Sequence, residues 1–277
     1  MKLQHNKTDA GDTELLAEIA RTGFCRAVAI KSEVAQEVRI LIKARAHLVR
    51  QRCDTQNAIR GLLGSLGLRF PKGSGKLAWR VRTALEARPD LQATFEPLLS
   101  TVEALKREIA RLDEAVVARA QASPACQVLM SVPGVGPVTA LAFAATIDDP
   151  SRFAKSRTVG AYLGLTTRRF QSGEMDYSGR ISKHGDAMLR SLLYEAANSL
   201  LTVVRKAHPL KDWARRIKRR KGHKKACVAL ARKLAVILHR MLITGEPFRW
   251  PEKPAKPAAA TSETTVFPAT DKGFESA

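Results

Sequence analysis

"LQATFEPLLSTVEALKREIARLDEAV", residues 91–116, decides the architecture of this chain. Leu91, Phe95, Leu98, Val102, Leu105, Ile109, Leu112 and Val116 alternate steps of four and three without a break. A period of 3.5 residues marks a helix pressed along its length against another helix. The partner lies upstream. Across residues 33–63, Val34, Val38, Leu41, Leu48, Ile59 and Leu62 keep a related spacing, although Arg45, Arg52 and Thr55 interrupt the seam. Together they predict a long, coiled-coil-like helical hairpin over residues 31–122, either projecting from the molecule or lying within an ordinary bundle. Pro97 marks a kink or the true start of the second helix, and "FPKGSGK", residues 70–76, reads as a loop from its Pro and Gly content.

Helical periodicity continues on both sides. Residues 10–21 form a short helix with Leu15, Leu16 and Ile19 on one side. Residues 185–204 repeat Met188, Leu189, Leu192, Leu193, Ala196 and Leu200 at helical spacing, and residues 226–243 do the same through Leu230, Leu234, Leu238 and Met241. The expected fold is mainly α, divided into residues 1–30, the hairpin over 31–122, a second helical unit over 123–246 and a tail over 247–277. From residue 251 that tail carries four prolines and little core material, so disorder is expected there.

Bulk composition narrows the function. Aromatic residues are only 5% of the chain against 45% apolar, so the core is built of Ala, Leu, Val and Ile, as suits packed helices. The formal net charge of +21 argues against a small neutral substrate and for a polyanion, because each phosphate neutralised by Lys or Arg releases condensed counterions. An anionic membrane surface is the weaker alternative. No run of 18 apolar residues exists, and the first residues lack a signal-peptide core. A cytoplasmic, nucleoid-associated protein with no membrane partner is expected. Cys25, Cys53, Cys126 and Cys227 stand far apart, without metal-ligand spacing, and read as free, largely buried thiols.

Four stretches carry chemistry. "SVPGVGPVTALAF" places Gly134 and Gly136 in a tight turn before Pro137, well suited to a first helical position. The helix start beyond it offers N–H groups to a phosphate. That is a helix-hairpin-helix pattern, or else a plain helix–helix turn. Residues 205–225 hold eleven Lys or Arg against Asp212 alone, including Arg215, Arg216, Lys218, Arg219, Arg220 and Lys221. So dense a block of one sign repels itself unless something anionic lies against it, and contact with nucleic-acid phosphates is expected. Asp9 and Asp12, three apart, share one helix face. They read as a helix N-terminus or as carboxylates for Mg²⁺. Finally, "RRFQSGEMDYSGRISKHGD", residues 168–186, is too polar for a core and too rich in Gly and Ser for a helix interior, and is expected to be a loop. Arg168, Arg169, Arg180 and Lys183 surround two Ser-Gly pairs there. A serine becomes a nucleophile only when its surroundings activate it, and cations that hold a phosphate can do so. Spacing does not choose between Ser172 and Ser178.

These stretches together resemble the IS110 family of bacterial insertion-sequence transposases, relatives of the pilin-gene inversion recombinases. The resemblance runs through "NKTDAGDTELLA" and, more specifically, through "LMSVPGVGPVTALAFAATIDDPSRFAKSRTVGAYLGLTTRRFQSGEMDYSGRISKHGDAMLRSLLYEAA". It implies a RuvC-like domain with four acidic Mg²⁺ ligands, a helical hairpin and a helical C-terminal transposase domain. Asp9 and Asp12 would match the last two acids, and Ser172 the nucleophile that forms a phosphoserine link during DNA recombination. A structured guide RNA and a homodimer or tetramer are further implied. The family's first two acids lie on strands upstream of the Lys-Thr-Asp stretch, and only eight residues precede Asp9. The expectation is therefore a truncated copy, or one read from an internal start, with residues 1–30 the remnant of the RuvC-like domain. It would bind Mg²⁺ weakly and nucleic acid well, recombine DNA poorly or not at all, and leave apolar surface of the 10–21 helix exposed.

Overall fold

The computed structural model describes residues 8–23, 29–73, 75–172 and 174–250. The hairpin expected from the 3.5-residue period is present as α2 (Glu33–Gly64) and α4 (Pro89–Ala122), with the short α3 (Leu77–Ala84) at its far end. α4 begins at Pro89, where a missing N–H costs nothing, so Pro97 lies inside the helix rather than at its start. Its ring removes one bond, to the carbonyl of Ala93. Along α4 the buried positions are Phe95, Leu99, Val102, Ile109, Val116 and Ala120. On α2 they are Ala35, Val38, Ile42, Ile59 and Leu63. The expected α2 seam is thus off by one residue at both ends: Val34 and Leu62 face solvent.

The middle of this arm is polar. No residue of α2 between Ile42 and Ile59 is buried. Arg45, which breaks the seam, reaches across to pair with Asp113 of α4. The hairpin therefore carries two separate cores. At the far end Ile59, Leu63, Leu77, Ala78, Val81, Leu85, Phe95, Leu99 and Val102 close on one another. At the near end Ala35, Val38, Ile42, Val116 and Ala120 join the main core of the C-terminal unit.

That unit is built around α6 (Pro137–Ile147) and α10 (His223–Thr244). Every residue of α6 from Ala140 to Ile147 except Ala144 is buried, as expected for a helix apolar all round. Leu230, Leu234 and Leu238 of α10 are fully buried, with Leu189, Leu193, Ala197 and Leu200 of α8 (Ala187–Thr202) against them. α5 (Pro124–Met130), α7 (Arg157–Tyr162) and α9 (Pro209–Lys221) complete the bundle. His239 is buried in α10. Its Nε2 donates to the Pro150 carbonyl at 3.1 Å, and Nδ1 lies 3.0 Å from the Ser156 hydroxyl. This ties the chain leading into α7 to the central helix.

Arm and bundle are joined at the start of α2. Asp148 follows α6 at φ 63°, an unusual backbone for a residue with a Cβ. Its carboxylate accepts from the Ser32 amide and hydroxyl, each at 2.7 Å, while Ser32 caps α2 through Ala35. Partial burial works to raise the Asp148 pKa, but the two Ser32 hydrogen bonds and the charges of Lys31 and Arg152 outweigh it, so the carboxyl lies below its ordinary range. A depressed carboxylate stabilises the fold at neutral pH, and this is lost as pH falls through the folded-state value. Asp148→Ala is expected to cost about 1–2 kcal/mol, read as a lower urea midpoint at pH 7, with the difference from wild type shrinking toward pH 3.

One expectation fails outright. Residues 168–186 are not a loop: β1 (Thr167–Ser172) and β2 (Met175–Ile181) form an antiparallel hairpin. Cys53 is exposed, whereas Cys126 and Cys227 are buried free thiols, as expected. Cys25 and the tail from residue 251 lie outside the described residues. No described helix is long and apolar enough to cross a membrane.

Candidate functional site

The β1–β2 hairpin stands on a tightly built base. Two residues beyond α7 the chain turns at Gly164, left-handed at φ 67°, and α8 is approached through Gly185 at φ 80°. A Cβ on Gly164 would lie 2.2 Å from the His184 carbonyl oxygen, and one on Gly185 would lie 2.1 Å from that of Tyr162. Only glycine allows the two stretches of chain to cross this closely. Arg190 of α8 clamps the crossing by donating from one nitrogen to the carbonyls of Leu163 (3.0 Å) and His184 (3.1 Å). Asp186 caps α8 through Leu189 and pairs with Arg39 of α2 at 3.1 Å. The base is thereby bonded to bundle and arm alike.

Above the base the ribbon is exposed along all of β1. Pairing brings Phe170 opposite Tyr177 and Ser172 opposite Met175, with a register shift between Thr167 and Arg169. Side chains alternate across a strand, so Arg168, Phe170 and Ser172 share one face. On that face Phe170 and Tyr177 stack with ring centroids 4.9 Å apart. Phe170 is 45% exposed, Tyr177 57% and Met175 65%. Ser172 thus sits at the end of β1 beside an aromatic platform that nothing covers among the described residues. Its hydroxyl has no hydrogen-bond partner there either.

The arginines of this segment are not equivalent. Arg169 makes a bidentate pair with Asp176, at 2.8 and 2.5 Å, which holds the Asp176 carboxyl below its ordinary range. Its charge is already answered. Among the described residues Arg168 donates to the Ser182 carbonyl alone, at 3.1 Å. Arg180 and Lys183 are exposed and have no acidic partner among the described residues; Lys183 turns the chain at φ 58°. Ser178 pairs with Arg169 in the ladder, toward the base of the ribbon, whereas Ser172 pairs at its outer end.

Gly134 and Gly136 divide their work. Gly134, at φ 87°, lets the turn touch α8: a Cβ there would lie 2.6 Å from the Ala196 carbonyl oxygen. Gly136 is exposed and caps α6, with open space where a Cβ would be. The basic block is the outer face of α9. Leu210, Lys211 and Ala214 are buried, and Trp213 and Ile217 lean on the core. Arg215, Arg216, Lys218, Arg219, Arg220 and Lys221 all face solvent. Arg215 lies 3.5 Å from Asp212, and the other five have no acidic partner among the described residues. α1 (Asp9–Thr22) buries none of its residues, and Leu16 is 66% exposed. Thr8, not Asp9, caps it through Gly11, leaving Asp9 and Asp12 in the first turn, where negative charge suits the helix dipole. Among the described residues no three His, Cys, Asp or Glu side chains gather as a metal-binding group.

Comparison with known proteins matches residues 126–212 to the model described as "Transposase IS116/IS110/IS902 family" and residues 1–67 to a DEDD-type transposase model of the IS110 group. The chain is 34% identical to the transposase for insertion sequence element IS1111A of Coxiella burnetii, over 89% of this chain and 70% of that protein. It is 33% identical to a probable family 20 transposase of Pseudomonas aeruginosa, over 86% and 72% respectively. With the transposase for IS1328 of Yersinia enterocolitica it shares 28% identity, over 89% and 75%. The first matched block spans α5 to the start of α9 and so contains the whole β hairpin.

Proposed function

The chain belongs to the IS116/IS110/IS902 family of insertion-sequence transposases, and from that premise we propose that Ser172 is the nucleophile with which it cuts and rejoins DNA. The observation that carries this reading is the position of Ser172: an exposed hydroxyl, unclaimed among the described residues, at the end of a projecting ribbon whose base is rigid. The Ser172 oxygen attacks a backbone phosphorus and forms a phosphoserine diester. The bond to the leaving strand's deoxyribose oxygen breaks, and that oxygen departs with the electron pair and takes a proton, while the serine proton passes to solvent. A hydroxyl from another strand then attacks the phosphoserine, forms the new DNA linkage and returns the serine. Phosphodiester count is conserved, so no energy source is needed.

Arg168 and Arg180, nearer the base of the ribbon, draw the DNA backbone along it toward Ser172, since Arg169 is engaged by Asp176. Phe170 and Tyr177 offer a surface on which the base next to the scissile phosphate stacks. Asp9 and Asp12 would contribute to a Mg²⁺ site, which when filled supplies Lewis-acid help to the phosphate. Two carboxylates in one helical turn do not complete a magnesium shell, and no step here is routed through the ion. A structured RNA and a homodimer or tetramer belong to the same proposal, the dimer because two strands must be cut before either is exchanged.

The outer face of α9 grips duplex backbone in this scheme. Replacing Arg216, Arg219 and Arg220 with Gln should weaken duplex binding and reduce the slope of log K against log salt by about 2–3, near 0.9 for each phosphate no longer neutralised. The residues are exposed, so the melting temperature should hold. A salt slope unchanged by the triple substitution removes α9 from the interface. The nucleophile itself is tested by whether a covalent protein–DNA adduct requires Ser172.

A further inference from the structure

The far end of the arm is a second, independent candidate surface. α3 is held down by Leu77, Ala78 and Val81 in the distal core. Trp79, between them in sequence, points the other way and is 62% exposed. An indole left mostly in water on a well-packed helix contributes little burial to its host. Its neighbours are cationic. Residues 65–88 contain Arg69, Lys72, Lys76, Arg80, Arg82 and Arg88 against the single acid Glu86.

The arm deals with one of these charges and leaves the others. Arg82 is held by Glu96 and Glu103 of α4, at 2.6 and 2.8 Å, and these two hydrogen-bonded carboxylates stabilise its charged form. Arg69, Lys72, Lys76, Arg80 and Arg88 have no acidic partner among the described residues. α4 adds a further cation, because Lys106 donates to the Gly75 carbonyl at 2.9 Å and fixes the loop against the helix. A folded tip with one bare tryptophan and at least five unanswered cations is built like the stacking platforms and charged grooves that hold unpaired strands. Duplex DNA would use the cations but has no free base face for the indole. A second copy of this chain would bring the same positive charge and be repelled.

We infer that the arm tip binds a single-stranded stretch of nucleic acid, with one unpaired base stacked on Trp79 and the flanking phosphates on Lys72, Lys76 and Arg80. This goes beyond the Ser172 reading and does not depend on it, because the tip is separated from the C-terminal unit by the polar middle of the arm. The ~1.5 Å rise per helical residue puts roughly 25 Å between Ile42 and Ile59.

The test uses the full chain carrying Arg216→Gln, Arg219→Gln and Arg220→Gln, so that the tip contributes a larger share of the binding. Affinity for a labelled 15-nucleotide oligothymidine and for a 15-base-pair duplex is measured by fluorescence anisotropy. Trp79→Ala should weaken oligothymidine binding by about tenfold, as loss of one stacked base implies, and change duplex binding less than twofold. Trp79→Phe should restore most of the loss, and Lys72→Gln with Arg80→Gln should lower the single-strand salt slope by about 1.4. Because Trp79 is exposed, circular dichroism and melting should be unchanged. The inference is overturned if Trp79→Ala leaves oligothymidine binding within twofold, if it weakens both ligands equally, or if it instead alters the oligomeric state by light scattering. None of these outcomes bears on adduct formation at Ser172.

Discussion

Ser172→Ala should reduce covalent protein–DNA adduct to background, at least about a thousandfold below the unaltered chain, because the atom that forms the bond is gone. The decisive substrate replaces the leaving deoxyribose oxygen with sulfur at the scissile linkage. A thiolate departs readily without metal or proton, so the assay reads the serine and not the completeness of any cation site. Oγ–P forms, P–S breaks, and the adduct appears as a shifted band under denaturing conditions. Ser178→Ala, altered nearer the base of the ribbon, should retain the adduct. Duplex affinity of Ser172→Ala should stay within twofold, since α9 and its arginines are untouched. Absence of adduct from the unaltered chain on this activated substrate sinks the nucleophile. Cleavage that survives Ser172→Ala but stops with Asp9→Asn would identify a metal-dependent junction nuclease instead.

Gly185→Val should be the most damaging change that touches no candidate chemical group. Its Cβ would fall 2.1 Å from the Tyr162 carbonyl oxygen, and the residue sits at φ 80°. Backbone cannot yield as a side-chain tip can, so steric overlap and left-handed strain add to about 2–5 kcal/mol. The matched comparison is Gly245→Val. Gly245 is left-handed, at φ 69° and ψ 2°, but has open space around a Cβ, so only the backbone cost of about 1–2 kcal/mol applies. Urea midpoints of the two variants separate these contributions. Gly185→Val should also lose adduct formation while Ser172 is still present, because the ribbon no longer leaves the bundle at a fixed angle. Equal midpoints for the two glycine variants would remove the tight crossing as a structural element.

The arm is legible in the sequence because periodicity along α4 is strong and local. The α2 seam reads one residue out of place because Arg45 and Arg52 hide the true order of inward positions; Arg45 is explained only by Asp113 on the other helix. The β hairpin is hidden for a different reason. Phe170 and Tyr177 stack across strands, but the shift between Thr167 and Arg169 and the glycines on either side break the alternation that would announce a ribbon. Ser172 and Ser178 stand out equally from their neighbours in sequence, and only the family resemblance favours Ser172, yet the surroundings of neither can be read there: Gly164 and Gly185 matter because they meet each other's neighbours in space. The sequence likewise shows that Gly134 permits a close approach without showing that the approach is to Ala196. Trp79 gives no sign of itself, since a lone tryptophan in an apolar run reads as core until the burial of Leu77, Ala78 and Val81 leaves it outside.

An arm with a packed cluster at each end and ion pairs between them is a gauge. Its span follows from the number of helical turns in α2 and α4, not from the residues at either terminus. Matched additions of seven residues to both helices would move the outer cluster by ~10 Å while each apolar seam kept its side. A lengthened arm would thus carry its tip further out while leaving the ribbon and the basic helix as they are.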